Sequence, residues 1–164
     1  MLEKLKKALN LIVINSGKFS SFLILVLITL VSVSVILRYI FSIGFIWLQD
    51  LYIWVHAIFI LLGLAYTLKT DEHVRIDLFY RSFKEKIKKK INFFGALFFG
   101  LPLSYILIFN GFDYFYRSFL LNESSKETGG LPYIFILKFF IFLIGILLFI
   151  ELLRQILNFL RKTK

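Results

Sequence analysis

The sequence contains no cysteine, only two prolines, and 10 acidic residues against 20 basic ones. Without cysteine the chain cannot form a disulfide, bind a metal through thiolates or carry out thiol redox chemistry. Catalytic signatures are also missing: there is no HExxH pair, no glycine loop that would cradle a phosphate, and no nucleophile–base arrangement. These absences argue against an enzyme and against a bound cofactor or metal.

Long apolar segments fill most of the chain instead. Segments 19–37, 51–68 and 91–112 carry no charged residue, and a further one, 128–150, is interrupted only by Lys138. Each is close to the ~20 apolar residues that a helix needs to cross the hydrocarbon core of a membrane. The mean hydropathy of +0.83 agrees. The sequence therefore predicts an all-α integral membrane protein with four transmembrane helices.

Lysine and arginine are concentrated in alternate connections. Four precede the first apolar segment, eight lie between the second and the third, and four follow from Arg154 onward. The positive-inside rule then places both termini and the middle connection in the cytoplasm. The net charge of +10 fits the anionic lipid of the inner membrane surface better than it fits nucleic acid.

These patterns divide a single membrane domain into seven parts. Two basic segments have apolar residues at helical spacing, which is typical of helices that lie on a membrane surface. Pro102 is expected to kink the third span, and Pro132 suits the first turn of the fourth. The predicted parts are an interfacial helix 2–17, spans 19–41, 47–68, 91–113 and 132–157, a cytoplasmic amphipathic segment 76–90 and a periplasmic loop 117–131.

Few polar residues fall within the predicted spans. His56 is the one histidine inside them, and it is either a packing residue or a functional group. Lys138 lies ~10 Å down the fourth helix. Its amine either extends back to the outer interface or pairs with an acid on a partner protein. Asp113 and Glu151 are at helix ends, where we interpret them as interface anchors.

Three short regions carry a family resemblance. In their order, and across four predicted spans, they resemble the small membrane subunit of tripartite ATP-independent periplasmic (TRAP) transporters, over nearly the whole chain from the first span onward. The family often has two acids before the leucine of the first region, where this chain has Gln49 and Asp50, so a role that needs both charges is not implied. The regions are Arg38-Tyr39-Ile40-Phe41 with Trp47-Leu48-Gln49-Asp50-Leu51, Gly63-Leu64-Ala65-Tyr66-Thr67-Leu68-Lys69 with His73-Val74-Arg75-Ile76-Asp77-Leu78, and Gly130-Leu131-Pro132-Tyr133.

The resemblance implies a sodium-driven importer of an organic acid, such as a C4-dicarboxylate or a sialic acid, in the bacterial inner membrane. A periplasmic substrate-binding protein would deliver the substrate, and a large elevator-type permease subunit would hold the sodium and substrate sites. This chain would be a scaffold that contacts lipid and the large subunit and helps the binding protein to dock. Candidates for subunit or lipid contacts are Arg38, Tyr39, Trp47, Asp50, Trp54 and Lys138, and candidates for docking the binding protein are Arg117, Glu123, Lys126 and Glu127.

Small residues permit close approach between membrane helices. Gly95-Ala96, Gly100 and Gly145 are therefore candidates for a face that meets the large subunit. An alternative function is a stand-alone four-helix membrane enzyme or assembly factor with a polar site in the connection 69–90. Its possible metal ligands are Asp71, Glu72, His73 and Asp77, although helix capping or solvation explains these residues more simply.

Overall fold

The computed structural model describes residues 2–73, 80 and 82–162, and every regular element within these ranges is helical. A π-helical turn, Ala96–Gly100, joins the third helix to the fourth without a break. The helices are α1 (Leu2–Ile40), α2 (Ile46–Thr70), α3 (Glu85–Gly95), α4 (Leu101–Leu120) and α5 (Phe135–Lys162).

Four segments are long and apolar enough to cross a membrane: Leu9–Ile40, Ile46–Thr70, Glu85–Leu120 and Phe135–Leu160. The prediction of an all-α protein with four transmembrane helices is therefore confirmed for the part of the chain that is described. The orientation of the termini stays a prediction, as does the placement of 2–17 and 76–90 on the membrane surface. Residues 74–79 and 81, within or beside the second of these segments, lie outside the described ranges.

The first helix, α1, continues through Gly17 without a break between a surface helix and a span. A Cβ atom at Gly17 would come within 2.4 Å of the Tyr66 ring of α2, so the missing side chain allows this close approach. One turn later, Ser20 Oγ donates a hydrogen bond of 2.8 Å to the Phe59 carbonyl oxygen. Val13, one turn earlier, is completely buried. Gly17 thus marks a tight contact between α1 and α2.

Helices α4 and α5 form an antiparallel pair that also depends on glycine. A Cβ atom at Gly145 would lie 2.8 Å from the Ile108 backbone nitrogen, and one at Gly111 would lie 3.2 Å from the Phe142 backbone. A Cβ atom at Gly100 would lie 2.6 Å from a leucine side chain of α5. Gly100 and Gly145 therefore serve packing within this chain, in place of the partner-facing role that the sequence suggested.

The π-helical turn lies directly before Pro102. Within it, the Leu101 N–H bonds to the carbonyl of Ala96, five residues earlier. A proline has no N–H to donate, and in a regular α-helix its ring clashes with the carbonyl four residues earlier. The wider turn accommodates this proline, and the irregularity expected at Pro102 takes the form of a π-helical turn.

The buried core connects three helices near the end where α2 finishes. Its fully or nearly fully buried members are Val13 from α1, Leu62 and Ala65 from α2, and Ile144 and Leu147 from α5. Most other large apolar side chains are exposed, as is expected of a surface that meets lipid or another subunit. Packing and close approach, more than the hydrophobic effect, hold such helices together in a membrane.

Candidate functional site

Polar side chains gather at two places, one at each end of the helix bundle. The first, here called the loop cluster, consists of Asp50 at the start of α2 and Ser118, Glu123 and Lys138 around the loop between α4 and α5. The second, here called the basic pocket, lies where α2 ends, α3 begins and α5 ends. Its cationic members are Lys69, Lys86, Lys89, Lys90 and Arg154.

The loop of the first cluster, residues 121–134, has a defined backbone. Asn122, Gly129 and Tyr133 have positive φ angles of 46°, 82° and 63°. The Ser125 N–H donates to the Leu131 carbonyl at 2.9 Å. Because Tyr133 is left-handed, α5 begins only at Phe135, and Pro132 belongs to the loop and not to the first helical turn.

Asp50 fixes this loop to the start of α2. Its Oδ2 accepts a hydrogen bond of 2.9 Å from the Leu131 N–H, and a Cβ atom at Gly130 would come within 2.4 Å of the same oxygen. Arg38 is exposed at the end of α1, with its guanidinium beside Gly44. Among the described ion pairs there is none between Arg38 and Asp50. The contacts of Arg38 and Asp50 with lipid or another subunit stay a prediction.

Lys138 pairs with an acid of its own chain. Its amine donates a very short hydrogen bond to Glu123 Oε2, and the same oxygen accepts a bond of 2.7 Å from Ser118 Oγ. The amine also lies 3.9 Å from the centroid of the Tyr114 ring. Lys138 is 8% exposed, and its acid belongs to the loop of its own chain and not to a partner; extension of the amine to the outer interface stays a prediction.

The same contacts set the charge state of Glu123. The hydrogen bond from Lys138, followed by the one from Ser118, holds the pKa of the Glu123 carboxyl below its ordinary value. Glu123 is therefore an anion at neutral pH, as the pair requires. Of the four docking candidates, Glu123 is engaged inside the chain, whereas Arg117, Lys126 and Glu127 are exposed around it.

The aromatic candidates lie near the same end of the bundle. Tyr39 and Trp47 are 79% and 45% exposed, and Trp54 is half-buried. The Trp47 ring is 5.9 Å from that of Phe45. Tyr39 and Trp47 thus lie at this end of the bundle, whereas Trp54 is eight residues into α2; the lipid or subunit contacts of all three stay a prediction.

Glu151 is the most deeply buried acid among the described residues, and it lies well inside α5. Its carboxylate accepts hydrogen bonds from Arg154 Nη2 at 2.5 Å and Arg154 Nε at 2.8 Å. Gln155 Nε2 donates to the same carboxylate and to the Leu68 carbonyl, each at 3.1 Å. The sequence suggested an interface anchor at Glu151. The structure shows a buried ion pair that also links α5 to the end of α2.

The basic pocket lies next to this ion pair. It is a cavity of about 510 Å³. On its α2 side, Lys69 Nζ lies 3.4 Å from the Asn10 carbonyl of α1. On the opposite side, Phe93 and Phe159 stack with their ring centroids 4.5 Å apart. The cavity therefore has cationic walls beside an aromatic contact between α3 and α5.

The possible metal ligands of the connection after α2 do not converge in the described part of the chain. His73 Nε2 lies 3.2 Å from both Thr67 Oγ1 and the Leu64 carbonyl, so it folds back onto the end of α2. Asp71 adopts a left-handed conformation and caps that helix, while Asp77 is outside the described ranges. Within those ranges no three His, Asp or Glu side chains are placed to share a metal.

His56 lies on the outside of the bundle. It is exposed, it stacks on Phe59 with centroids 6.4 Å apart, and Ile53 and Ile60 on the same face of α2 are exposed too. It is ten residues into α2, ~15 Å along the helix axis, which is about half the depth of a hydrocarbon core. His56 therefore stacks on its own helix at the outer face of the bundle, and whether it is a packing residue or a functional group stays open.

Comparison with known proteins gives one family. Residues 27–162 match the family described as tripartite ATP-independent periplasmic transporters, DctQ component. The match begins within α1 and extends to the end of α5. No curated protein sequence matches the chain.

Proposed function

The chain belongs to the DctQ component family of tripartite ATP-independent periplasmic transporters, and we propose that it is the scaffold subunit of a sodium-driven importer of an organic acid. This family consists of transporter components, not of enzymes, and its members are multi-pass proteins of the inner membrane. In the proposed complex the large permease subunit binds sodium and substrate and moves, while this subunit stays fixed in the membrane. A carboxylate such as a C4-dicarboxylate or a sialic acid is the proposed substrate class.

One observation carries the scaffold role: the buried polar side chains of the described chain are satisfied by the chain itself. Ser20, Ser104 and Ser118 each donate a hydrogen bond within the chain. Lys138 pairs with Glu123, and Glu151 with Arg154. In the described ranges, no buried side-chain nitrogen or oxygen is left without a partner. A transport site needs groups that can exchange their partners for an ion or a substrate, whereas these groups hold helices together.

The proposed orientation has both termini and the basic pocket in the cytoplasm, with the loop cluster in the periplasm. The distribution of lysine and arginine supports it. Because the chain has no cysteine, single cysteines at Lys88 and Ser125 test it directly. A membrane-impermeant maleimide added to intact cells should label only the variant at Ser125, and labelling of the Lys88 variant alone would reverse the orientation.

The face of α2 that carries His56 is the part that we propose contacts the large subunit. A histidine at mid-depth in a membrane almost always faces protein or a water-filled cavity, yet His56 faces away from its own bundle. Its exposed neighbours Ile53 and Ile60 would complete the contact. A photocrosslinking residue at Ile60 should capture the large subunit, and one at the exposed Ile106 of α4 is the matched control. Capture from Ile106 but not from Ile60 would place the contact elsewhere.

The exposed charges of the loop end are the proposed docking surface for the binding protein. Lys126 and Glu127 are exposed in the loop, and Arg117 is exposed at the end of α4. Charges at the rim of an interface mainly change the rate of encounter and its salt dependence. Lys126→Glu should therefore slow uptake at low ionic strength more than at high ionic strength. Unchanged uptake at every ionic strength would contradict the docking role only.

Reconstitution tests the division of labour. Liposomes that contain only this chain, with a sodium gradient, should not take up organic acid. Liposomes that also contain the large subunit, with the binding protein added, should do so. The matched control is the large subunit and binding protein without this chain, which should lose most of the uptake. Sodium-dependent uptake by this chain alone would overturn the scaffold proposal.

A further inference from the structure

The basic pocket concentrates positive charge beyond what helix packing requires. Lys69, Lys86, Lys89, Lys90 and Arg154 come from three helices and line one cavity of about 510 Å³. Asp71 is the single carboxylate among the lining residues that the structure describes. Like charges this close repel one another, and an anion bound in the cavity would offset that repulsion.

The lysines of α3 converge on the pocket because of their spacing. Residues 86, 89, 90 and 93 follow the i, i+3, i+4, i+7 pattern and so share one face of a helix. Phe93, on that face, stacks against Phe159 of α5, which orients the face toward α5. Lys88 lies on another side, where it pairs with Glu85 at 3.1 Å. The same helix thus presents some lysines to the cavity and others away from it.

Arg154 contributes less free charge than the lysines do. Its guanidinium makes two hydrogen bonds to the buried Glu151 carboxylate, which neutralises most of its charge and holds it in position. Gln155 and Asn158, also in the lining, add side-chain amides that can donate hydrogen bonds. The pocket therefore offers four lysine ammonium groups, a fixed guanidinium and amide donors, a set that suits phosphate oxygens.

The position of the pocket in the bundle indicates where its ligand comes from. It lies where the candidate spans Ile46–Thr70 and Phe135–Leu160 end and the span Glu85–Leu120 begins, which is the depth of lipid headgroups. Apolar side chains of the spans continue from it toward the membrane centre, where acyl chains would lie. Basic pockets between membrane helices at this depth are known to suit anionic headgroups.

We propose that the basic pocket binds the phosphate of an anionic phospholipid headgroup. The inference goes beyond the scaffold role and does not depend on it, since a bound lipid needs neither sodium nor a transported acid. A bound headgroup would tie α3 to the ends of α2 and α5, beside the stacked Phe93 and Phe159 rings that join α3 to α5 and the bond from Gln155 to Leu68 that joins α5 to α2.

Two double variants of α3 test the proposal with equal loss of charge. Lys86→Gln with Lys89→Gln removes two lysines that line the cavity, whereas Lys84→Gln with Lys88→Gln removes two that do not. The full chain, purified in mild detergent with the subunits it retains, is stripped of lipid and titrated with phosphatidylglycerol. Native mass spectrometry measures the bound lipid, and circular dichroism checks that each variant is folded.

We expect the cavity variant, but not the control variant, to bind phosphatidylglycerol more weakly. A lysine whose ammonium group bonds directly to the phosphate contributes about a fivefold change in affinity, so the cavity variant should bind phosphatidylglycerol about thirtyfold more weakly. The control variant should change the affinity about twofold or less. Phosphatidylcholine, which has the same phosphate but no net charge, should bind the unaltered chain much more weakly than phosphatidylglycerol does.

Three outcomes would overturn the proposal. Equal weakening in both double variants would mean that diffuse surface charge, and not the cavity, attracts the lipid. Equal binding of phosphatidylglycerol and phosphatidylcholine would remove the charge selectivity. Displacement of phosphatidylglycerol by millimolar inorganic phosphate, with tighter binding of the free anion, would assign the pocket to a soluble phosphate compound and not to a lipid.

Discussion

Removing Arg154 should destabilise the bundle more than removing its partner does. The Glu151 side chain is 1% exposed, whereas the Arg154 side chain is 24% exposed. Arg154→Ala leaves a buried carboxylate whose remaining donor, among the hydrogen bonds of the described residues, is the amide of Gln155. Glu151→Gln leaves a guanidinium that can turn toward water or lipid headgroups. The two single variants therefore break the same ion pair with different consequences.

The magnitudes follow from this difference in burial. An uncompensated buried charge costs ~3–5 kcal/mol when its partner is removed, which is the expected loss for Arg154→Ala. Loss of the hydrogen bonds in Glu151→Gln should cost ~1–2 kcal/mol. Because a buried ion pair is often no more stable than an apolar replacement, the double variant with leucine at both positions should be within ~1–2 kcal/mol of the original chain.

Unfolding by SDS in mixed micelles, followed by circular dichroism, measures these free energies. Arg117→Ala, which removes an exposed arginine at the other end of the bundle, is the control and should change stability by less than ~0.5 kcal/mol. A double-mutant cycle gives the coupling between Glu151 and Arg154. If Arg154→Ala costs no more than Glu151→Gln, the buried carboxylate is not held by the arginine and this reasoning is wrong.

Three further predictions concern the helix contacts and the loop cluster. Gly145→Ala should lower the free energy of unfolding by ~1–3 kcal/mol in the same SDS assay, because its Cβ atom would meet backbone atoms of α4. Gly95→Ala, with open space around it, is the control and should be neutral or stabilising. Equal losses in the two variants would contradict the close contact at Gly145. Asp50→Ala should make the loop between α4 and α5 more sensitive to protease, and unchanged cleavage would show that Asp50 does not hold the loop. The lowered pKa of Glu123 means that its pairing with Lys138 contributes stability above the ordinary glutamate range, near pH ~4.3, and loses it as the pH falls through the lower folded-state pKa. The melting temperatures of the original chain and of Glu123→Gln should therefore differ by a constant amount from neutral pH to about pH 5 and converge only at lower pH, whereas convergence already at pH 6 would contradict the pairing.

The spans could be predicted from the sequence because a single physical constraint determines them. A helix that crosses ~30 Å of hydrocarbon needs a long apolar run, and this requirement does not depend on which helices are neighbours. The lysine-rich connections add an expected orientation in the same way. Neither pattern says which faces meet inside the bundle.

The ion pair between Lys138 and Glu123 shows why the contacts could not be predicted. The two residues are 15 positions apart, and the loop between them turns at Tyr133, a left-handed residue other than glycine. Such a conformation has no reliable signal in a single sequence. The sequence marks Lys138 as an unusual charge within an apolar segment. It suggests an exposed docking role for Glu123, which the structure shows to be the acid that pairs with Lys138.

The glycine positions indicated close contacts between helices, but not which helices would be in contact. Gly100 and Gly145 both permit close helix contacts, as small residues in membranes generally do, yet both contacts are within this chain. The contacts of Glu151 could not be predicted either. It ends an apolar run, and only the structure shows that it is buried and paired with Arg154.

The π-helical turn at Ala96–Gly100 has a consequence for how the length of this chain can vary. Ala96 and Ser104 are both buried, although eight residues of a regular α-helix turn about 800°, about 80° past two full turns. The π-helical turn contains one extra residue, which compensates for this rotation, so that Ala96 and Ser104 lie on the same face. Deleting one residue there, together with Pro102→Ala, would leave both halves of the helix facing as they do now, whereas a deletion within α4 would rotate the following part by about 100°. Homologous chains that differ by one residue in this helix are therefore expected to have their alignment gap at this turn.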